Sequence, residues 1–167
     1  SDSAQERWLQ RTIGQAGERL GMVRDRLFAL ANPQRHHLIL DLNAGSGLLT
    51  WEAVRRVPEG GVYACVHSAT DATALAEQAA ALAELSRPMI LQSDLKGLSA
   101  LLEQQAIDVR FDLVMGRNAL LREADKAGIL RSLLPWLHST GMIVLAEAVP
   151  QNSQRLYRLL DPAWLGT

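Results

Sequence analysis

The 167-residue sequence predicts an α/β domain: a doubly wound, mainly parallel sheet of about five strands with helices on both faces. Three observations predict it. Apolar runs of strand length alternate along the chain with longer, helix-forming segments. The strand runs are apolar on successive residues, as in Leu38-Ile39-Leu40, Leu113-Val114-Met115 and Ile143-Val144-Leu145-Ala146, which is the pattern of strands buried on both faces. Short turns such as Pro58-Glu59-Gly60-Gly61 and Ser139-Thr140-Gly141 stand where each helix hands over to the next strand. Parallel strands need crossovers, and these are right-handed almost without exception.

The elements follow in order. Residues 4–31 read as one long amphipathic helix, with Leu9, Ile13, Ala16, Leu20, Val23, Leu27 and Leu30 along one stripe at alternating four- and three-residue steps. That stripe must be covered, either by the following domain or by a second helix, so helix-mediated self-association stays open. Gly14, Gly17 and Gly21 weaken the helix, and Asn32-Pro33 ends it because proline pushes the preceding residue out of helical geometry. Strands are then expected at 37–42, 61–66, 88–93, 111–115 and 141–147, and helices at 48–57, 71–85, 96–106, 121–136 and 151–160. The expected division is an N-terminal helix over 1–33 and an α/β core over 34–167.

Composition narrows the function classes. Apolar residues at 48%, charged residues at 21% and a net charge of −1 describe an ordinary globular protein with no overall pull toward nucleic acid or membrane. No apolar stretch approaches the roughly 18 residues that span a bilayer, and Ser1-Asp2-Ser3 before a charged helix does not resemble a secretory signal. The single cysteine, Cys65, cannot form an internal disulfide and falls in an apolar run, so a reducing, cytoplasmic location is expected. Because the chain opens on Ser1, it is expected to be a piece of something longer.

The most informative segment runs from Leu38 to Thr50. An apolar strand ends in Asp41, passes through Asn43-Ala44-Gly45-Ser46-Gly47, and enters a helix near Leu48. Small residues let a ligand approach the main chain, and the helix start turns its positive end toward a polar group. The alternative is a tight strand–helix connection that binds nothing. In an open parallel sheet, ligands bind beyond the carboxyl ends of the strands where the strand order reverses. Asn43–Gly47, His67-Ser68, Ser93-Asp94 and Gly116-Arg117-Asn118 all follow strands at that edge. A dinucleotide fold would want G-x-G-x-x-G, but Gly45-Ser46-Gly47-Leu48-Leu49-Thr50 has threonine at the third glycine, so the nicotinamide reading loses ground.

Asp41-x-Asn43-x-Gly45-x-Gly47 resembles the first motif of class I S-adenosylmethionine-dependent methyltransferases, with Asn43 at the first glycine as a residue that tolerates positive φ. The resemblance continues through Val62–Ser68, Leu91–Asp94, Phe111–Asn118 and Leu134–Leu145, and covers about residues 36–150. It implies a Rossmann-like methyltransferase fold with S-adenosylmethionine as cofactor. By position, the backbone of Asn43, Ala44, Gly45 and Gly47 would meet the methionine part, and Asp41 would order the loop or the bound amino group. Asp94 would hydrogen-bond the adenine amine with Leu95 beside the ring, and Gly116 and Arg117 would border the sulfonium and substrate. Asp94 also fits a helix N-cap, and Arg117 a surface arginine.

The match breaks at two places. The family usually has an acid at the end of strand two for both ribose hydroxyls, and here that position is His67, which offers one acceptor at most when neutral. The family's last two strands, one antiparallel, have no counterpart before Thr167, so a strand with an unpaired edge is expected. No Ser–His–Asp set, metal cluster or phosphate loop stands out, no catalytic residue is assigned, and Glu147 reads either as a base or as an edge carboxylate. The expected function is a methyltransferase domain of unknown acceptor. The alternative is a degenerate methyltransferase-like scaffold with weak or no cofactor binding. Residues 41–52, Gly116–Leu120 and Gln154–Tyr157 also resemble the methyltransferase-like domain fused to bacterial AAA-type replication-associated recombination ATPases, which would bring nucleic acid near only through the larger parent.

Overall fold

The structure is a computed structural model and describes residues 2–14, 18–105, 107–148 and 154–159. Six strands form one sheet: β1 (Leu38–Asp41), β2 (Gly61–Val66), β3 (Met89–Gln92), β4 (Phe111–Arg117), β5 (Leu137–Ala148) and β6 (Gln154–Leu159). Their spatial order is β3-β2-β1-β4-β5-β6, the first five strands being parallel and β6 antiparallel to β5. The order therefore reverses between β1 and β4, and a crevice is expected at the carboxyl ends of those two strands.

The helices are α1 (Asp2–Gly14), α2 (Glu18–Ala31), α3 (Leu48–Arg56), α4 (Ala69–Ala79), α5 (Leu95–Gln104) and α6 (Lys126–Leu133), with 3-10 turns at Glu84–Ser86 and Leu134–Trp136. Side-chain alternation along the strands divides the interior into two cores. Ile39, Val62, Ala64, Val66, Leu113, Met115, Val144 and Ala146 face α1 to α4, through Leu9, Leu27, Phe28, Leu49, Trp51 and Leu75. Leu40, Cys65, Val114, Ile143 and Leu145 face α5 and α6, through Leu95, Leu98, Leu102, Ile129 and Leu133.

Four expectations are corrected. The N-terminal segment forms two helices, not one; Leu9 and Leu27 bury their side chains while Leu20 is 36% exposed, and Ala16 and Gly17 lie outside the described residues. Second, α6 starts at Lys126, not near 121, because the Asp125 carboxylate accepts from Gly128 N at 2.9 Å and sets the first turn there. Third, Ser139-Thr140-Gly141 lies within β5, where the register against β4 shifts between Phe111↔Leu137 and Leu113↔Met142. A Cβ on Gly141 would stand 2.8 Å from Phe111 O, so strand contact, not a turn, is what glycine serves there. Finally, residues 154–159 of the expected helix form β6, and the rest of 151–160 lies outside the described residues. Pairing with β6 covers the β5 edge that was expected to be open.

Candidate functional site

The turn from β1 to α3 is built around a buried carboxylate. Asp41 is fully buried; its Oδ1 accepts from Asn43 N at 3.1 Å and its Oδ2 from the Thr50 hydroxyl at 2.8 Å. Asp41 thus ties the start of the turn to the first turn of α3. Burial pushes its carboxyl up from 3.8 to about 6, against the opposing hydrogen bonds and the charges of Arg117 and His67. Thr50, at the position of a third glycine, is a contact of this carboxylate that sequence reasoning missed. Its signal was a polar residue among the apolar Leu49, Trp51, Ala53 and Val54 of α3, a signal it shares with Glu52.

Three of the five turn amides are used within the chain. Besides Asn43 N, Ala44 N donates to Cys65 O at 2.9 Å and Gly47 N to Ala44 O at 2.7 Å. Among the described residues, nothing accepts from Gly45 N or Ser46 N. Ala44 itself is buried in the first core. Asn43 does not adopt positive φ; it holds its place because Nδ2 donates to Arg117 O at 2.9 Å, joining the turn to the end of β4. The left-handed positions are Gly45 (φ 47°) and Gly47 (φ 89°). They differ in surroundings. A Cβ on Gly45 would meet only Asn43 O, at 3.9 Å, whereas one on Gly47 would run into the Trp51 indole. Gly45 therefore fronts open space, and Gly47 is needed for packing. The Trp51 indole donates to Gln78 Oε1 at 3.0 Å and meets Trp8 edge-on, so α1 and α4 brace α3 behind the turn. There Thr12, Ile13, Leu20, Ser46, Leu48 and Gln78 line a cleft of about 180 Å³.

The other predicted residues fall around the same edge with unequal access. His67 is exposed at the end of β2, and its Nδ1 lies 2.8 Å from Ser93 O. A carbonyl only accepts, so Nδ1 carries a proton, which leaves Nε2 as the acceptor whenever the ring is neutral. Asp94 is the N-cap of α5, its Oδ1 accepting from Gly97 N at 2.7 Å. Leu95 is 2% exposed and packs in the second core, so it can offer a ligand main chain only, not a side chain beside a ring. Gly116 is buried, with Leu42 and Ala119 crowding the place of a Cβ at 3.3 and 2.9 Å; it serves close packing and does not line the opening. Arg117 is half-buried at the end of β4.

Beyond β4 the chain is clamped to β5. Asn118, at φ 53°, donates from N to Ala146 O and accepts at Oδ1 from Ala148 N, both at 2.7 Å. Glu147 Oε1 accepts from Leu120 N at 3.0 Å, while its Oε2 is buried without a hydrogen-bond partner. Burial raises the Glu147 carboxyl above its ordinary value. Burial likewise pushes the Cys65 thiol up to about 12, which makes it an inert core group. Among the described residues no group of three or more His, Cys, Asp or Glu could hold a metal ion, and no helix is long and apolar enough to cross a membrane.

No family model and no curated protein matches the chain by sequence. Solved structures do match by fold. Coclaurine N-methyltransferase, bound to N-methylheliamine and SAH, is similar with a TM-score of 0.64 and 17% identity over 75% of this chain and 35% of that one. Precorrin-6y C5,15-methyltransferase from Geobacter metallireducens gives 0.62 and 16%, over 81% of this chain and 68% of its own. The [4+2]-cyclase SpnF gives 0.63 and 17%, over 75% and 44%. The match thus spans about a third of the length of the first of these and about two thirds of the second. The chain has the Rossmann-like fold of S-adenosylmethionine-dependent class I methyltransferases.

Proposed function

We propose that this chain is an S-adenosylmethionine-dependent methyltransferase domain of unidentified acceptor. The observation that carries the reading is the β1–α3 turn. It sits where the strand order reverses, with the Gly45 and Ser46 amides unpartnered and open space over Gly45. The residues present fit an adenosyl ligand: two main-chain donors and the start of α3 suit a carboxylate, His67 Nε2 suits one ribose hydroxyl, and the second Asp94 oxygen suits an adenine amine. Bound there, the cofactor supplies a methyl group activated on a sulfonium. The chain's part is to position and desolvate it, with Arg117 and the clamped 118–120 segment on the acceptor side.

A second reading is favoured by His67 and by the internal use of the Asn43, Ala44 and Gly47 amides: a degenerate scaffold inside a larger AAA-type ATPase, binding cofactor weakly or not at all. The fold itself does not decide, since a similar structure is described as a [4+2]-cyclase. Titration calorimetry with S-adenosylmethionine, S-adenosylhomocysteine and NAD separates the readings. Micromolar binding of the sulfonium pair supports the transferase, no binding of any of the three supports the scaffold, and preference for NAD overturns both.

A further inference from the structure

We propose that the cleft behind the β1–α3 turn is a second small-molecule site, separate from the ligand loop, for a neutral, ring-sized molecule that carries a hydrogen-bond acceptor. The inference goes beyond the function proposed above and does not depend on it.

Three helices make the apolar walls. Ile13 near the end of α1, Leu20 on α2 and Leu48 at the start of α3 line the cleft, with Trp51 behind them. Trp51 comes that close to the turn because position 47 has no Cβ, and its ring takes the place a side chain would fill. Leu20 is 36% exposed, so apolar surface on this wall is left uncovered by the core, and covering it favours an apolar occupant. Gly45 does not line the cleft, which is therefore distinct from the open space over the Gly45 amide.

Size and charge limit the occupant. The cleft holds about 180 Å³. A cavity of about 150 Å³ takes one benzene ring, so this one takes a single ring with a small substituent and not a cofactor-sized molecule. Among the described residues that line it none is charged. An ionised group brought there would lose water without gaining an ion pair, a cost that a neutral molecule does not meet.

The polar groups select further. The Trp51 indole donates to Gln78 Oε1 at 3.0 Å. An indole N–H only donates, so the amide oxygen must face it, and the orientation of the Gln78 amide is fixed. Its Nε2 is left with two hydrogens and, among the described residues, no acceptor for them. Gln78 thus offers a donor to the cleft, and Thr12 and Ser46 add hydroxyls. The molecule that matches apolar walls, no charge and a waiting donor is a neutral aromatic amide, ketone or aza-heterocycle. Because Ser46 and Leu48 belong both to the turn and to the cleft wall, its arrival is also felt at the turn.

The test titrates the whole chain with three probes of one ring size: benzamide, which is neutral and has a carbonyl; toluene, which has no acceptor; and benzoate, which is charged. Methyl NMR of Ile13, Leu20 and Leu48 and the side-chain amide of Gln78 follow each titration. The expected result is saturable benzamide binding with a Kd of about 1 mM, binding of toluene about fivefold weaker for want of one hydrogen bond, and benzoate weaker still. Gln78→Glu keeps an oxygen for the Trp51 indole but removes the donor, so benzamide is expected to fall to the toluene level. Leu20→Trp fills the cleft from a side chain that already reaches solvent, and is expected to abolish binding of all three. Shifts that stay linear to about tenfold above the expected Kd overturn the site. Benzoate bound as tightly as benzamide, or an unchanged preference for benzamide in Gln78→Glu, overturns the ligand class. Repeating the benzamide titration with S-adenosylhomocysteine present is expected to change nothing, and displacement of benzamide overturns a site separate from the loop. The wild-type and Gln78→Glu titrations decide the matter even if Leu20→Trp fails to fold.

Discussion

At the end of β2 an imidazole stands where the resemblance expects a carboxylate able to grip two ribose hydroxyls. Its Nδ1–H is committed to Ser93 O, which leaves a single acceptor toward the crevice. His67→Asp restores the second acceptor, and calorimetry is expected to show S-adenosylhomocysteine binding tightened by roughly tenfold to a hundredfold, the worth of one regained hydrogen bond to a charged group. Unchanged or weaker binding contradicts the ribose position. Glu147 presents the opposite case of a charge with too few partners. Its Oε1 does useful work on Leu120 N, but Oε2 is dry and unpaired. Glu147→Gln keeps the acceptor for Leu120 N and removes the charge, so the stability lost between acid and neutral pH is expected to be smaller in Glu147→Gln than in the wild type. Urea unfolding at the two pH values measures the difference.

Between elements, the two turn glycines divide packing from access. Gly47 ends the turn at a left-handed φ with the Trp51 ring against it, and Trp51 in turn holds Gln78 on α4 and Trp8 on α1. Gly47→Ala strains the backbone and drives a methyl group into the indole, and is expected to cost about 2–4 kcal/mol in unfolding free energy. Gly45 has the same backbone hand but open space at its Cβ position. Gly45→Ala is expected to cost only about 1 kcal/mol while filling the approach to the two unpartnered amides. Comparing denaturation with ligand binding for the two variants separates the roles. Equal losses of stability would show that Gly45 is also a packing glycine.

Over the whole molecule, buried carboxylates shape the pH dependence of stability. Burial holds the Asp41 carboxyl at about 6 against an ordinary 3.8, and Glu147 is shifted upward in the same sense. For an acid raised on folding, the native state binds more protons between the two values, so stability falls as pH rises through that window. Asp41 alone corresponds to about 3 kcal/mol lost between about pH 4 and 6, and the loss levels off above the folded value. Glu52 works the other way. Burial alone would raise its carboxyl, but hydrogen bonds from Arg55 and Arg56 outweigh that and hold it below the ordinary 4.5, so its contribution is lost in acid. Denaturant titrations are expected to place maximum stability on the acid side of neutral, with Asp41→Asn flattening the decline above it. A decline as steep in Asp41→Asn as in the wild type would contradict the sign of the Asp41 shift.

Which features could be read from the chain follows from how far each depends on distant partners. The five parallel strands, the helices between them and the turn after β1 were legible because apolar runs, helical spacing and small-residue punctuation are local. The outlines of α3 and β2 match the expected 48–57 and 61–66 to within a residue. The pairing of 154–159 with β5 was not legible, since Gln154–Leu159 has no strong period of its own and takes its conformation from the edge it covers. The site divides the same way. Residue types at strand ends identified Asp41, Gly45 and His67 as candidates, because the chemistry of a residue travels with its identity. Only tertiary structure decided that Asp41 is fully buried, that Gly116 packs instead of lining the opening, that Leu95 turns into the core, and that just two of the five turn amides remain to meet a ligand. Burial and hydrogen-bond partners are properties of the assembled sheet and of no single segment.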